Sequence, residues 1–205
     1  MSFLFVPLAP PFGFKGELGK ELKAKFGSSQ VVTISSGECI RQKIASDSEF
    51  AARHGVTVEK GGYVPFHEVL PLIKLQLQEV SSTPVVWLDG VCREADHVDQ
   101  LWSAGILNDR NVRLLQIKTS LATCRDRWNF SKAKGDRETR SDNDVFEDRY
   151  HRHYQEEPRI LDFFSSRGVK PAVINGNREP KALKACVMLK VRDVIPFPHS
   201  VNLQG

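Results

Sequence analysis

The residues best placed to do chemistry stand near the start of the chain, in "APPFGFKGE" (9–17), where Lys15 lies between Gly13 and Gly16. The run before it, "FLFV" (3–6), is short and apolar, and the residues after it put Leu18, Leu22 and Phe26 on one helical face. A strand that passes through a glycine-containing turn and a lysine into a helix makes an anion site for a physical reason. Backbone N–H groups converge, the helix dipole adds positive charge, and the lysine reaches the outer phosphates of a nucleotide. Turns of this kind also join ordinary strands to helices, so the turn alone leaves both readings open.

The elements that must position this loop follow from the apolar runs. Besides 3–6, "VVTI" (31–34), "PVVWLD" (84–89), "VRLLQI" (112–117) and "AVIN" (172–175) are short, often β-branched and bounded by polar or turn residues, and read as buried strands. Helical spacing appears over 16–26, over 66–79 with Val69, Leu72, Ile73 and Leu77, and over 144–165. In the last of these Phe146, Tyr150 and Tyr154 share a face, read as packing, ahead of Ile160, Leu161 and Phe164. Strands spaced by helices predict a three-layer α/β fold, with one parallel five-stranded sheet, right-handed crossovers and helices on both faces. Ligands of such folds sit outside the carboxyl ends of the strands, where the loop lies. The polar stretch "NFSKAKGDRETRSDND" (129–144) has no apolar period and is expected to be an excursion from the core.

At 205 residues the chain suits a single domain. Apolar content of 40% and charged content of 26% are those of a globular protein, and no eighteen-residue apolar run offers a membrane span. The first residues read neither as a signal peptide nor as a transit peptide. Four cysteines, Cys39, Cys92, Cys124 and Cys186, stand far apart, which points to reduced thiols in a cytosol-like compartment. A net charge of +4 suits a small anionic ligand, whereas nucleic acid calls for a concentrated basic patch. His151 and His153 are two apart on a helix and do not share a face, so they predict no metal site, and Glu156 and Glu157 are expected on a solvated face.

Beyond the opening loop, "ISSGECIRQKI" (34–44), "GGYVP" (61–65), "VVWLDGVCR" (85–93), the arginine-containing excursion, "RYHRHYQEEPRILDFFSSRG" (149–168) and "VINGN" (173–177) follow one another in a telling order. In that order the chain resembles nucleoside monophosphate kinases of the adenylate kinase family over nearly its full length. The resemblance implies a P-loop-type fold with a small monophosphate-binding insertion at about 35–68 and a lid at about 129–143. It implies ATP and a nucleoside monophosphate as ligands, with Mg²⁺. Lys15 would bridge the ATP phosphates, with Gly13 and Gly16 shaping the loop. Ser36, Gly37 and Arg41 would hold the monophosphate, with Val64 against its base and His97 in the register of a base-reading glutamine. Asp89 would orient the Mg²⁺ shell, Arg93 would clamp the acceptor phosphate, Arg140 and Arg149 would neutralise the moving group, and Gly176 would let the chain approach the ATP base. The residue types agree with the chemistry, since phosphoryl transfer needs two polyanions brought together and the migrating charge neutralised. Arginine's planar fork suits that task.

The chain also departs from the family's G-x-P-G-x-G-K-G-[ST] pattern. Ala9, Phe12 and Phe14 stand in place of three glycines, and Glu17 in place of the hydroxyl residue. A left-handed backbone costs a β-carbon residue roughly 1–2 kcal/mol, and an anion in the first helical turn repels a phosphate from the same dipole. Cys92 replaces a proline, and Arg125 is followed four residues later by Asn129 where the family has a second arginine, unless Arg127 or Lys132 substitutes. A transition-state arginine is worth about 10³–10⁵ in rate. Two readings stay open: an adenylate kinase-like enzyme with an impaired ATP side, and a catalytically inactive kinase-like module that serves a larger protein assembly. Neither calls for nucleic acid or a membrane as partner.

Overall fold

The computed structural model describes residues 3–80, 83–108, 111–135 and 143–192, with the backbone alone described at 143 and 144. The elements run β1 (Phe3–Leu8), α1 (Lys15–Phe26), β2 (Val31–Ser35), α2 (Ser36–Ser46), α3 (Ser48–Glu59), α4 (Phe66–Glu79), β3 (Val85–Asp89), α5 (Ala95–Ser103), β4 (Asn111–Lys118), α6 (Leu121–Ala133), α7 (Asn143–Ser165), β5 (Ala172–Asn175) and α8 (Pro180–Arg192). The strands form one five-stranded sheet in the order β2-β3-β1-β4-β5, and every pairing is parallel. All five predicted strands are present and the three-layer α/β expectation holds.

The period of two in each strand builds a core on each face of the sheet. Leu4, Val6 and Leu8 of β1 join Val86 and Leu88 of β3 in one core, which α4, α5 and α7 cover through Val69, Ile73, Leu77, Val98, Leu101, Ile160 and Phe164. Phe5, Trp87, Leu115 and Ile117 face the other way, under Leu18 and Leu22 of α1 and Leu183, Val187 and Val191 of α8. Pro7 would be out of place in a central strand, since it lacks a backbone donor. It falls beyond the β1–β3 ladder, which ends at Phe5↔Trp87.

A third, smaller cluster of Cys124, Trp128 and Phe146, with Phe12, Leu121 and Tyr150 against it, packs α6 and α7 onto the opening loop. α6 runs on to Ala133 and α7 begins at Asn143, so both ends of 129–144 are helical, while residues 129–135 are exposed or half-buried, as an excursion from the core requires. Trp128 is 4% exposed and Phe146 1% exposed, and their rings stack at 5.2 Å, which fixes the two helices in spite of polar neighbours. Among the described residues no helix is long and apolar enough to cross a membrane.

A candidate phosphate-binding cleft

Between β1 and α1 the loop keeps a cradle's backbone without its glycines. Phe12 has φ 56° and Phe14 has φ 77°, both left-handed. Each carries roughly 1–2 kcal/mol of strain, and each ring has been given a berth beside the loop. Phe12 lies edge-on to Phe146 with centroids 5.7 Å apart. Phe14 lies under the Arg127 guanidinium, 5.1 Å from its ring centre, and packs on the α1–α8 side of the sheet. Gly13 is held by close approach, since a Cβ there would stand 2.8 Å from the Pro10 carbonyl oxygen.

Lys15 turns back into this loop. Its ammonium donates to the carbonyls of Ala9 at 2.5 Å and Pro10 at 2.9 Å. Enclosure pushes its pKa down to about 8; Asp89 pulls the value up, while Arg93 and Arg149 push it lower. Glu17 stands exposed in the first turn of α1, paired with Lys20 at 2.9 Å. ATP is therefore expected to bind less well as pH rises through about 8, because the ammonium loses its charge while the phosphates keep theirs. One unit charge at contact is worth at least about 1 kcal/mol, or about fivefold. Calorimetric titration of ATP between about pH 7.5 and 9.5 checks this, and Lys15→Met should flatten the dependence.

On the other side of β1, β3 delivers Asp89 to the mouth of the cleft. A Cβ on Gly16 would meet Asp89 Oδ2 at 3.4 Å, so the carboxylate lies against the start of α1. Gly90 follows with φ 67°, and its carbonyl accepts from Ser36 Oγ and from Arg93 Nε, each at 2.8 Å. Cys92, where the family has proline, is buried and its thiol is pushed up to about 12, so it fills space and stays protonated. Arg93 lies 4.9 Å from the Tyr63 ring centre, and Arg149 lies 5.7 Å from it while donating from Nε to Tyr63 Oη at 3.3 Å. Burial first, then Arg149, lowers the pKa of Arg93. Lys15, Gly16, Ser36, Asp89, Arg93 and Arg149 thus form one cluster.

The other expected site residues make contacts of their own. Arg41 bonds Glu38 at 2.8 Å on the exposed side of α2, its guanidinium beside Gly37. Val64 is buried in the core under α4, and His97 stacks on Phe66 with centroids 4.1 Å apart. Burial lowers the His97 pKa, which keeps the ring neutral. Arg140 lies outside the described residues. Glu157 corrects the expectation of a solvated face: it is 7% exposed, with His153 at 3.5 Å. α7 carries Arg149, His153 and Glu157 at intervals of four residues, and burial lowers the His153 pKa, with the bond to Glu157 opposing it and the Lys15 charge adding to it.

Two further residues stand at the site: Arg127, one of the two cations named above as a substitute for the second arginine, and Tyr63, which the motifs did not single out. Arg125 pairs with Glu147, whereas Arg127 reaches the loop, donating to Gly176 O at 2.7 Å, Arg178 O at 3.4 Å and Phe12 O at 3.5 Å. Arg127 is therefore the arginine of α6 that faces the donor side, and Gly176 meets it through its carbonyl. Tyr63 is the other, set in "GGYVP" beside the Val64 that the motif does single out. Among the described residues no group of three or more His, Cys, Asp or Glu could hold a metal ion.

No protein-family model matches the chain. The adenylate kinase of Nautilia profundicola is 28% identical over 182 residues, 87% of this chain and 90% of that protein. That of Azorhizobium caulinodans is 26% identical over 174 residues, 80% of this chain and 86% of that protein. The match to the adenylate kinase of Mycoplasmopsis pulmonis, 29% identical over 118 residues, covers 57% of this chain and 54% of that protein. The chain is thus similar in sequence to adenylate kinases over most of its length, and its loop at the carboxyl edge of an all-parallel sheet fits a P-loop-type α/β fold.

Proposed function

We propose that this adenylate kinase-like protein binds a nucleoside monophosphate through the acceptor half of its cleft and has a donor half that handles ATP poorly. The observation that carries the reading is the contrast between the two halves. Arg93 and Arg149 converge on the Tyr63 ring with planar forks suited to phosphate oxygens, while Lys15 is committed to the carbonyls of its own loop. Phosphoryl transfer from ATP, with Mg²⁺ meeting Asp89 through water, is then slow or absent. The closure of the donor side by Arg127 and Phe14 favours the second reading, a module that binds nucleotide or a protein partner without turnover.

Adenosine 5′-monophosphate is expected to bind by calorimetry, and Arg93→Ala to weaken it at least about tenfold, since hydrogen bonds to charged groups are worth about 1.5–3 kcal/mol. A coupled assay for ADP should show little turnover. Rapid ADP formation by the wild type would overturn the donor-side half of the reading, and binding of the monophosphate indifferent to Arg93 would overturn the acceptor-side half.

A further inference from the structure

Tyr63 stands in the turn between α3 and α4, and three guanidiniums gather on its ring: Arg93 at 4.9 Å, Arg152 at 5.5 Å and Arg149 at 5.7 Å from the centroid. Arg149 donates from Nε to its hydroxyl oxygen at 3.3 Å. Like charges do not gather without something to hold them, and here an aromatic face and a phenol oxygen from the chain itself do so. Burial opposes ionisation of this phenol, yet Arg93 and Arg149 outweigh it and hold its pKa below the ordinary value.

We propose that Tyr63 is the residue that sets which ligands the acceptor cleft admits, by placing its own hydroxyl between the arginines that a phosphate must use. The proposal rests on the acceptor-side reading above. A phosphate that engages Arg93 and Arg149 takes over the hydrogen bond now made to Tyr63 Oη, so the ring has to leave. It can do so by turning about its own side-chain bonds, while the backbone beside it stays pinned by Gly61 N–H on Val58 O at 3.0 Å and Gly62 N–H on Thr57 O at 2.8 Å. The ligands favoured are those whose phosphate grips two arginines at once, strongly enough to replace a phenol and a cation–π contact. Ligands with a single weak anionic group are excluded.

The test uses the full chain with Tyr63→Leu and Tyr63→Phe, and adenosine 5′-monophosphate as probe. Tyr63→Leu should bind the probe at least about tenfold more tightly than wild type, and Tyr63→Phe, which keeps the ring without the oxygen, should fall between. A second readout does not depend on ligand affinity. The chain has 3 tyrosines, and burial raises the pKa of the other two, Tyr150 and Tyr154. Ultraviolet titration should therefore show one early phenol that disappears in Tyr63→Phe and moves up when the probe is added. If wild type binds the probe and Tyr63→Leu binds it no more tightly, the Tyr63 proposal falls alone. If neither binds it, the acceptor-side reading falls and this proposal with it. An early phenol that persists in Tyr63→Phe would also overturn the proposal, since the arginines would then be acting on a different residue.

Discussion

Replacing Phe14 by glycine and Glu17 by threonine together is expected to raise ATP affinity by about 10- to 100-fold. Strain is not the reason. The left-handed backbone at Phe14, φ 77°, costs roughly 1–2 kcal/mol whether or not the loop holds a phosphate, so it cancels from the affinity as long as the loop keeps this shape. Two differences do not cancel. Glu17 sets a unit negative charge in the turn of α1 where the phosphates would sit, worth about 1 kcal/mol or more at contact, and its exposed pairing with Lys20 offsets little of that. The Phe14 ring underlies Arg127 and helps hold its guanidinium against Gly176 O. Removing the ring frees an arginine at the donor side, at about 0.5–1 kcal/mol for the cation–π contact. Together these come to about 1.5–2 kcal/mol or more, with each 1.4 kcal/mol a factor of ten. Calorimetry with ATP on wild type, each single variant and the double variant measures the effect. Robust ATP turnover by the wild type, abolished by Lys15→Ala, would show that the loop works as it stands.

Gly176→Ala is expected to destabilise the fold by about 3 kcal/mol and to lower the melting temperature by about 6–12 °C. A Cβ at this position would stand 2.1 Å from Thr119 Oγ1, 2.9 Å from Lys118 O and 3.0 Å from Ile117 Cγ2. Thr119 is 1% exposed, and the Gly176 N–H is bonded to Lys118 O at 2.7 Å, so the two strand ends are already at closest approach. Separating them would also shift the carbonyl that holds Arg127. Gly55→Ala is the contrast: it lies inside α3 with nothing within 4 Å of the added carbon. Alanine's better helix propensity should stabilise it by up to about 1 kcal/mol. Thermal unfolding by circular dichroism compares the two, and a Gly176→Ala protein that melts with the wild type would refute the close-approach account.

Most of the architecture was legible in the sequence. A run such as "VVWLD" is buried on both faces and has to be apolar throughout, so its composition announces a strand of a parallel sheet. The helix over Phe66–Glu79 was legible for the same kind of reason, since Val69, Ile73 and Leu77 repeat at its period. The helical ends of 129–144 were not. α6 and α7 there rest on a few large contacts, Trp128 on Phe146 and Phe12 against both, between residues up to 134 positions apart, and no local period records such a cluster.

What the sequence by itself determined is the five strands, the helices over 16–26, 66–79 and 144–165, the parallel sheet they imply and the residue types gathered at its carboxyl edge, because burial and periodicity act along the chain. It also determined that glycines are missing from the loop. Only the tertiary structure decided what the loop does without them: that Phe12 and Phe14 adopt the glycine backbone, that Lys15 closes onto Ala9 and Pro10, that Arg127 and not Arg125 faces the loop, and that Tyr63 lies among the arginines. Each of these is a choice of partner for a charge or a ring, made between segments brought together by the crossovers of the sheet. A cation pairs with the nearest acceptor in space, and nearness in space across such a fold is set by packing, not by position in the chain.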